Sequence, residues 1–367
     1  MFRTLACLFL ACAWAFGADA AFPLWDGQES VAHYAERTNL PPAKTLDLGN
    51  GVNLELVLIP AGKFIMGTPR PQPVDEQAFR DKVFVGRAVL AAGGAILLVL
   101  IGFAVVRAIR DKRRFQYSLR RFMAMTFAAG LCLLGGMHWW YSTKALSQAQ
   151  AEYSAALARY KVAGEDEKPA HHVRLTRPFY MAKFKVTQEQ YALVMGANPS
   201  WFKGTKLPVE TVSWYNAQDF CKYASSKTGQ TVRLPTEAEW EFACRAGTTT
   251  AFYTGDADSD LGRAAWYGTN SSGTTHPVGL KEPNAFGLHD MHGNLWEWVQ
   301  DHFTEKYYSD SPPIDPKGPA SPYEGCARVL RGGTWEHSPD DCRAARRAVA
   351  SSGERNVYMG FRYALDF

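Results

Sequence analysis

The sequence predicts an α+β domain with much irregular structure, interrupted by a transmembrane helical hairpin. Three observations carry this. Val52, Leu54, Leu56 and Leu58 alternate with other residues, the period of a half-buried strand. Farther on, Thr187-x-x-Gln190 and Thr236-x-x-Glu239 are capping-box patterns that open helices. Between these regions lie two apolar runs of about 20 residues, the length that crosses a bilayer core.

The elements follow in chain order. Met1 to Ala20 has a charged start, a short apolar run and the small-x-small end Ala18-Asp-Ala20, as a secretory leader does. Residues 46–67 hold the first strands, with a turn at Pro60-Ala-Gly62. The membrane hairpin is expected over 85–141. Its apolar runs, Ala88 to Val106 and Phe122 to Tyr141, flank the basic loop 107–121. That loop holds seven Arg or Lys against one Asp, so it contributes +6 to a net charge of +4 and leaves the remainder at −2. A concentrated excess of this kind orients a membrane protein and leaves no nucleic-acid face elsewhere. The loop then lies in the cytoplasm, the globular part is periplasmic or extracellular, and the spans contact lipid. Trp139, Trp140 and Tyr141 suit the outer interface.

Residues 142–168 read as a helical linker, rich in Ala, Gln and Glu. Residues 169–367 complete the globular domain. His171 to Met181 is expected to be a strand, and helices are expected from Thr187 to Met195, Asn216 to Lys227 and Thr236 to Arg245. Pro208 to Trp214 reads as a strand or turn. From Thr248 onward, Gly, Asn, Asp, Ser and Pro break the chain into short apolar runs, which implies loops more than regular structure. The frequent Trp and Tyr there argue against disorder.

The most particular stretch is Gly287-Leu-His-Asp-Met-His-Gly-Asn-Leu-Trp-Glu-Trp-Val-Gln-Asp301. With Ile59-Pro-Ala-Gly62, Asn198-Pro-Ser200, Arg233-Leu-Pro-Thr-Glu-Ala-Glu-Trp-Glu241, Asn284-Ala-Phe-Gly-Leu288, Arg331-Gly-Gly333 and Gly360-Phe-Arg362, in that order, it resembles the formylglycine-generating enzyme, or sulfatase-modifying factor, domain family. The resemblance covers about Leu46 to Met66 and His171 to Phe367. It implies a C-type-lectin-like α+β fold, with the insert at a surface loop.

The resemblance also implies a calcium site at Asp290, Gly293, Leu295 and Glu297. Calcium takes six or more oxygens, carboxylate and carbonyl mixed, which such a loop can offer. The plainer alternative is that these carboxylates cap a helix or pair with arginine. A second site of the family would fall near Trp266 to Thr275, where no acidic residue stands.

Enzymes of the family hold copper through two cysteines after a Gly-Gly-Ser turn. Here Thr334 stands at the serine position. Counting forward from it, His337 takes the first cysteine's place and Cys342 the second's. Counting back from Gly360-Phe-Arg362, Cys342 belongs instead to the strand that carries Arg347. Neither count yields the thiolate pair that soft Cu(I) prefers, and the histidine motif of the family's iron branch is missing. His337, Cys342, Thr334 and Arg347 are the catalytic candidates if the chain is active. The family pairs cysteines at positions matching Cys244 and Cys342, and Cys221 is then free or paired with Cys326. Two functions follow. One is a membrane-anchored extracytoplasmic domain that binds protein, peptide or glycan. The other is a formylglycine-generating-type oxidase, or another metal-dependent modifying enzyme.

Overall fold

In a computed structural model, residues 22–77, 119–320 and 327–366 are described, with scattered positions between 81 and 99. The expected leader, most of the first apolar run, most of the basic loop and Cys326 lie outside the described residues. The chain forms two compact units, one of residues 1–69 and 163–367, the other of residues 70–162.

The first unit begins with helix α1, Val31–Thr38, whose N-terminus is capped by Ser30. Strands β1 (Ala43–Gly49) and β2 (Val52–Ile59) pair as an antiparallel hairpin. The alternation read from the sequence is real: Leu54, Leu56 and Leu58 are buried, while Asn53 and Glu55 are exposed and Val57 is half-buried. Strand β3, Gly62–Met66, pairs antiparallel with β4, His171–Leu175, with Met66 opposite His171. Residues 70–162 therefore leave and return at the end of a β-hairpin. A clasp closes that point. The Thr68 N–H donates to the Glu167 carbonyl at 3.1 Å, and the Arg343 guanidinium reaches both Glu167 carboxylate oxygens at 2.8 and 2.9 Å.

The second unit contains helix α2, Leu119–Val162, 44 residues long. Here the expectations need correction. Among the described residues no helix is long and apolar enough to cross a membrane, so the transmembrane hairpin gains no support. The second apolar run and the segment expected as a separate linker are one helix. No Gly or Pro interrupts Ser142 to Val162, and nothing in the local sequence ends the helix after Tyr141. The linker's remainder, Glu165–Glu167, is a short turn belonging to the first unit.

Beyond it, the single strand expected from His171 to Met181 is two. Pro178 lacks an N–H and cannot continue a ladder, so β4 ends at Leu175 and β5, Phe179–Ala182, joins another sheet. Helices α3 (Gln188–Met195), α4 (Trp214–Thr228) and α5 (Glu237–Arg245) start at capping boxes on Thr187, Ser213 and Thr236. Pro208 to Trp214 forms no strand beyond one bridge, Thr187 to Pro208. The remaining strands are β6 (Val232–Arg233), β7 (Trp296–His302), β8 (Ala327–Arg331), β9 (Arg347–Ser351), β10 (Met359–Phe361) and β11 (Ala364–Leu365).

A five-stranded sheet runs β1-β2-β5-β11-β6, and a four-stranded sheet runs β10-β7-β8-β9. Within the latter β10 and β7 are parallel, which sets Gly360 beside Glu297. One apolar cluster packs Leu54, Leu56 and Leu58 with Tyr191, Phe220, Phe361 and Trp298. A second packs Met181, Trp240, Phe242, Leu288 and Val299. Gly247 to Leu295 is mostly irregular, as the composition after Thr248 implied, broken by one short helix, Asp258–Ala264, and it gives Phe286, Leu288 and Met291 to the second cluster.

Candidate functional site

The loop from Asn284 to Leu295 is held from inside. The Asn284 side chain accepts from the backbone N–H groups of Phe286 and Leu288 at 3.0 and 3.1 Å, and donates to the carbonyls of Ala243 and Cys244 on α5 at 2.7 and 3.1 Å. Asp290, Gly293 and Asn294 all take left-handed backbone. At Gly293 this is obligatory: a Cβ there would lie 2.2 Å from the Trp266 carbonyl oxygen.

The loop delivers Glu297 on β7 into a fully buried position. Its carboxylate accepts from Arg362 Nε at 2.7 Å, Arg362 Nη2 at 2.9 Å and Trp240 Nε1 at 2.9 Å, and from the ammonium of Lys185. Burial by itself would raise its pKa, but Arg362 and Lys185 outweigh that and hold it below the usual value. Asp290, also fully buried, accepts from the Gly279 N–H at 2.7 Å through one oxygen, and its other oxygen has no partner. Burial pushes the Asp290 carboxyl up. The Gly293 carbonyl accepts from the Leu295 N–H at 2.8 Å.

These residues do not fit the calcium site expected of them. Glu297 has spent both oxygens on two cations and an indole, and the Gly293 carbonyl is turned into a backbone bond. Among the described residues no group of three or more His, Cys, Asp or Glu could hold a metal. The plainer alternative, pairing with arginine, is what Glu297 does.

The Gly332-Gly333-Thr334 turn holds the catalytic candidates. Thr334 is fully buried, and its Oγ1 lies 3.2 Å from His337 Nδ1 and accepts from the Glu336 N–H at 3.1 Å. The His337 ring lies 5.6 Å from Trp296 and 6.2 Å from Tyr358. Cys342 is close in sequence but packs under the turn: a Cβ on Gly333 would sit 2.5 Å from its sulfur. Burial pushes its thiol up to about 12. A lone, protonated, enclosed thiol does not make a copper site.

Arg347 is elsewhere. It reaches the two Glu237 oxygens at 2.7 and 3.1 Å and the carbonyls of Asp166 and Thr304, with no partner from the Gly332–Cys342 loop.

The structure draws no bond between Cys244 and Cys342, and it leaves Cys221 unbonded as well. The His292 imidazole stands against both residues, 3.8 Å from the Cys244 sulfur and 2.7 Å from the Cys342 carbonyl. Lys185 and His292 are the buried site residues that sequence reasoning did not assign. Lys185 had a signal, a single cation between Phe184 and Val186 just before a helix cap.

On the surface beside the turn, loops converge on a frame of aromatic rings. Trp335 lies edge-on to Phe202 at 5.7 Å and tilted to Tyr358 at 5.3 Å. Next to them is a shallow cavity of about 650 Å³ lined by Pro199, Ser200, Trp201, Lys203, Thr211, Asn356 and Val357. Trp201 is 75% exposed. Thr211 holds a left-handed φ of 60°, costly for a β-branched residue, pinned by its N–H to the Asn356 carbonyl at 2.9 Å. Trp296, Trp298 and Trp335 themselves are core residues.

Fold and site define an irregular α+β domain whose Gly-Asn loop is braced by buried ion pairs. A model of the sulfatase-modifying factor enzyme 1-like domain matches residues 145–367, and the chain belongs to that family. The formylglycine-generating enzyme of Streptomyces coelicolor is 39% identical over 174 residues, which is 43% of this chain and 52% of that protein. The serine/threonine-protein kinase pkn1 of Chlamydia pneumoniae is 37% identical over 159 residues, 43% of this chain and 24% of that protein. The chain thus spans about half or less of the length of these curated relatives. Among solved structures, Treponema denticola variable protein 1 aligns with a TM-score of 0.51 at 35% identity, covering 54% of this chain and 87% of that one. PvdO from Pseudomonas aeruginosa aligns with a TM-score of 0.57 at 23% identity, covering 89% of this chain and 99% of that one, a likeness of fold alone.

Proposed function

We propose that this domain binds a protein, peptide or glycan through the face around Trp201 and does not carry the copper–cysteine chemistry of its enzymatic relatives. The supporting observation is the pairing of an exposed tryptophan on a strained, hydrogen-bonded frame with a turn whose one thiol is buried. Tryptophan dominates interface energetics, and the backbone beside it is fixed by the Thr211 N–H bond to the Asn356 carbonyl. Trp201→Ala should therefore weaken capture on peptide and glycan arrays at least tenfold, with an unchanged melting temperature because the ring is exposed. Equal binding by wild type and variant would remove the face from consideration.

The second reading is a formylglycine-generating-type enzyme. It is favoured by the Thr334–His337 contact, a hydroxyl beside an imidazole, and by relatives that bear that name. Aldehyde formation on a cysteine peptide, lost in His337→Ala, would replace the binding proposal with this one.

The same proposal places the domain outside the cytoplasm, attached to a membrane. Its support is the sequence alone: the leader-like Met1 to Ala20, the apolar run Ala88 to Val106 and the basic loop, which lie mostly outside the described residues. Expression of the full chain should put it in the membrane fraction, resistant to alkaline carbonate. Recovery in the cytoplasmic soluble fraction would refute this placement.

A further inference from the structure

We propose that the ammonium of Lys185 is a built-in cation standing where calcium was expected, so that the Asn284–Leu295 loop keeps its shape without a metal ion. Lys185 lies just before α3 and is fully buried. Its ammonium meets Glu297, the carboxylate that Arg362 grips from the other side. Asp290 is the second buried carboxylate of the group, with one oxygen unpartnered. Lys185 and Arg362 both grip Glu297 and both act electrostatically on Asp290, so two cations already serve the two carboxylates. Adding a divalent ion would leave two uncompensated positive charges out of water, which buried sites do not tolerate.

The loop backbone is likewise fixed by protein groups. The Asn294 side chain accepts from the His276 N–H at 3.1 Å and donates to its carbonyl at 2.9 Å. The Asn294 N–H donates to Trp266 at 2.7 Å, and the Asn294 carbonyl accepts from the Trp335 N–H at 3.0 Å. An ammonium also does what calcium cannot, since it donates hydrogen bonds to the carboxylate it neutralises. Removing it leaves Asp290 and Glu297 against Arg362 alone. That is one unbalanced negative charge beside a vacated space, with carboxylate oxygens lining it, which is a description of a divalent-cation site.

The test is thermal unfolding of the full-length protein and of Lys185→Ala, each in excess EGTA and in calcium chloride, with metal content measured after gel filtration. The wild type should melt at the same temperature in both buffers and carry no stoichiometric calcium. The variant should melt lower than wild type in EGTA, and calcium at about 100 times its Kd should raise it by roughly 5–10 °C. A wild type that loses stability in EGTA, or retains about one calcium per chain, would overturn the proposal. So would a variant that folds and ignores calcium. If Lys185→Ala folds in neither buffer, the wild-type measurements decide by themselves.

Discussion

Arg331→Met should destabilise the domain by about 3–5 kcal/mol, the range for stripping one partner from a buried charge network. At this size that lowers the melting temperature by about 10 °C. Arg331 is fully buried at the end of β8. Its guanidinium donates to the carbonyls of Ala344, Ala345 and Arg346 at 2.7, 2.8 and 2.8 Å, and to the carboxylate of Glu241. Methionine matches the side-chain length and removes every donor. Glu241 keeps Arg245 at 2.9 Å and the Gly67 N–H at 3.0 Å, but the three carbonyls of the turn before β9 lose their partner. Lysine would not rescue them, because a single ammonium cannot stand at both places from which Nη1 and Nη2 reach these acceptors. Arg263→Met is the control. Its pairs with Asp260 and Glu282 are at the surface, and such pairs contribute about 0–1 kcal/mol. Equal melting temperatures for the two variants would show that water satisfies the carbonyls and that the network is not structural.

What could be read from the sequence follows from how far each physical cause reaches along the chain. The alternation of Leu54, Leu56 and Leu58 and the capping boxes at Thr187 and Thr236 act over two to four residues, so strand and helix starts were legible. The carboxylate of Glu297 was visible, but its meaning depends on Lys185, 112 residues away, and on Arg362, 65 residues away. From the loop alone a buried carboxylate beside Gly and Asn fits a metal as well as a cation side chain. The Cys244–Cys342 pairing came from the family resemblance, and in the structure the two are unbonded with the His292 ring against both residues. The break at Pro178 was local and could have been seen. The run from Phe122 to Tyr141 was rightly helical. Hydropathy marked a boundary at Ser142 that backbone geometry does not respect, since Ser, Thr and Lys there continue a helix as readily as leucine does.

Acid should expose His292. Its imidazole is fully buried, stacked on Tyr253 with ring centroids 4.8 Å apart. Nδ1 lies 2.7 Å from the Cys342 carbonyl, and Nε2 accepts from the Tyr253 N–H at 3.1 Å. These partners call for a neutral ring protonated on Nδ1. A second proton on Nε2 would face another donor. Burial first, with Arg245 and Lys185 adding to it, pushes the pKa down to about 3, although the hydrogen bond to Cys342 pulls the other way. The unfolded value is about 6.5. Below it the unfolded chain takes up a proton that the folded chain refuses. The stabilisation is thus complete above pH 6.5 and is lost as pH falls towards 3. At pH 5 the loss is about 2 kcal/mol. Glu167, Glu237 and Glu297, all held below the usual carboxylate value, contribute their own losses only at lower pH. Asp301, pushed well above its usual value, works in the opposite direction, so an absolute pH profile would mix the two effects. His292→Gln separates them. Glutamine keeps a donor and an acceptor but has no proton to gain, and Asp301 is common to both proteins. The stability difference between wild type and variant, from urea melts at pH 7 and pH 5, should shrink by about 2 kcal/mol. Parallel profiles would mean that the ring is protonated in the folded state, which requires either that Tyr253 has moved away or that water reaches the space between Cys244 and Cys342.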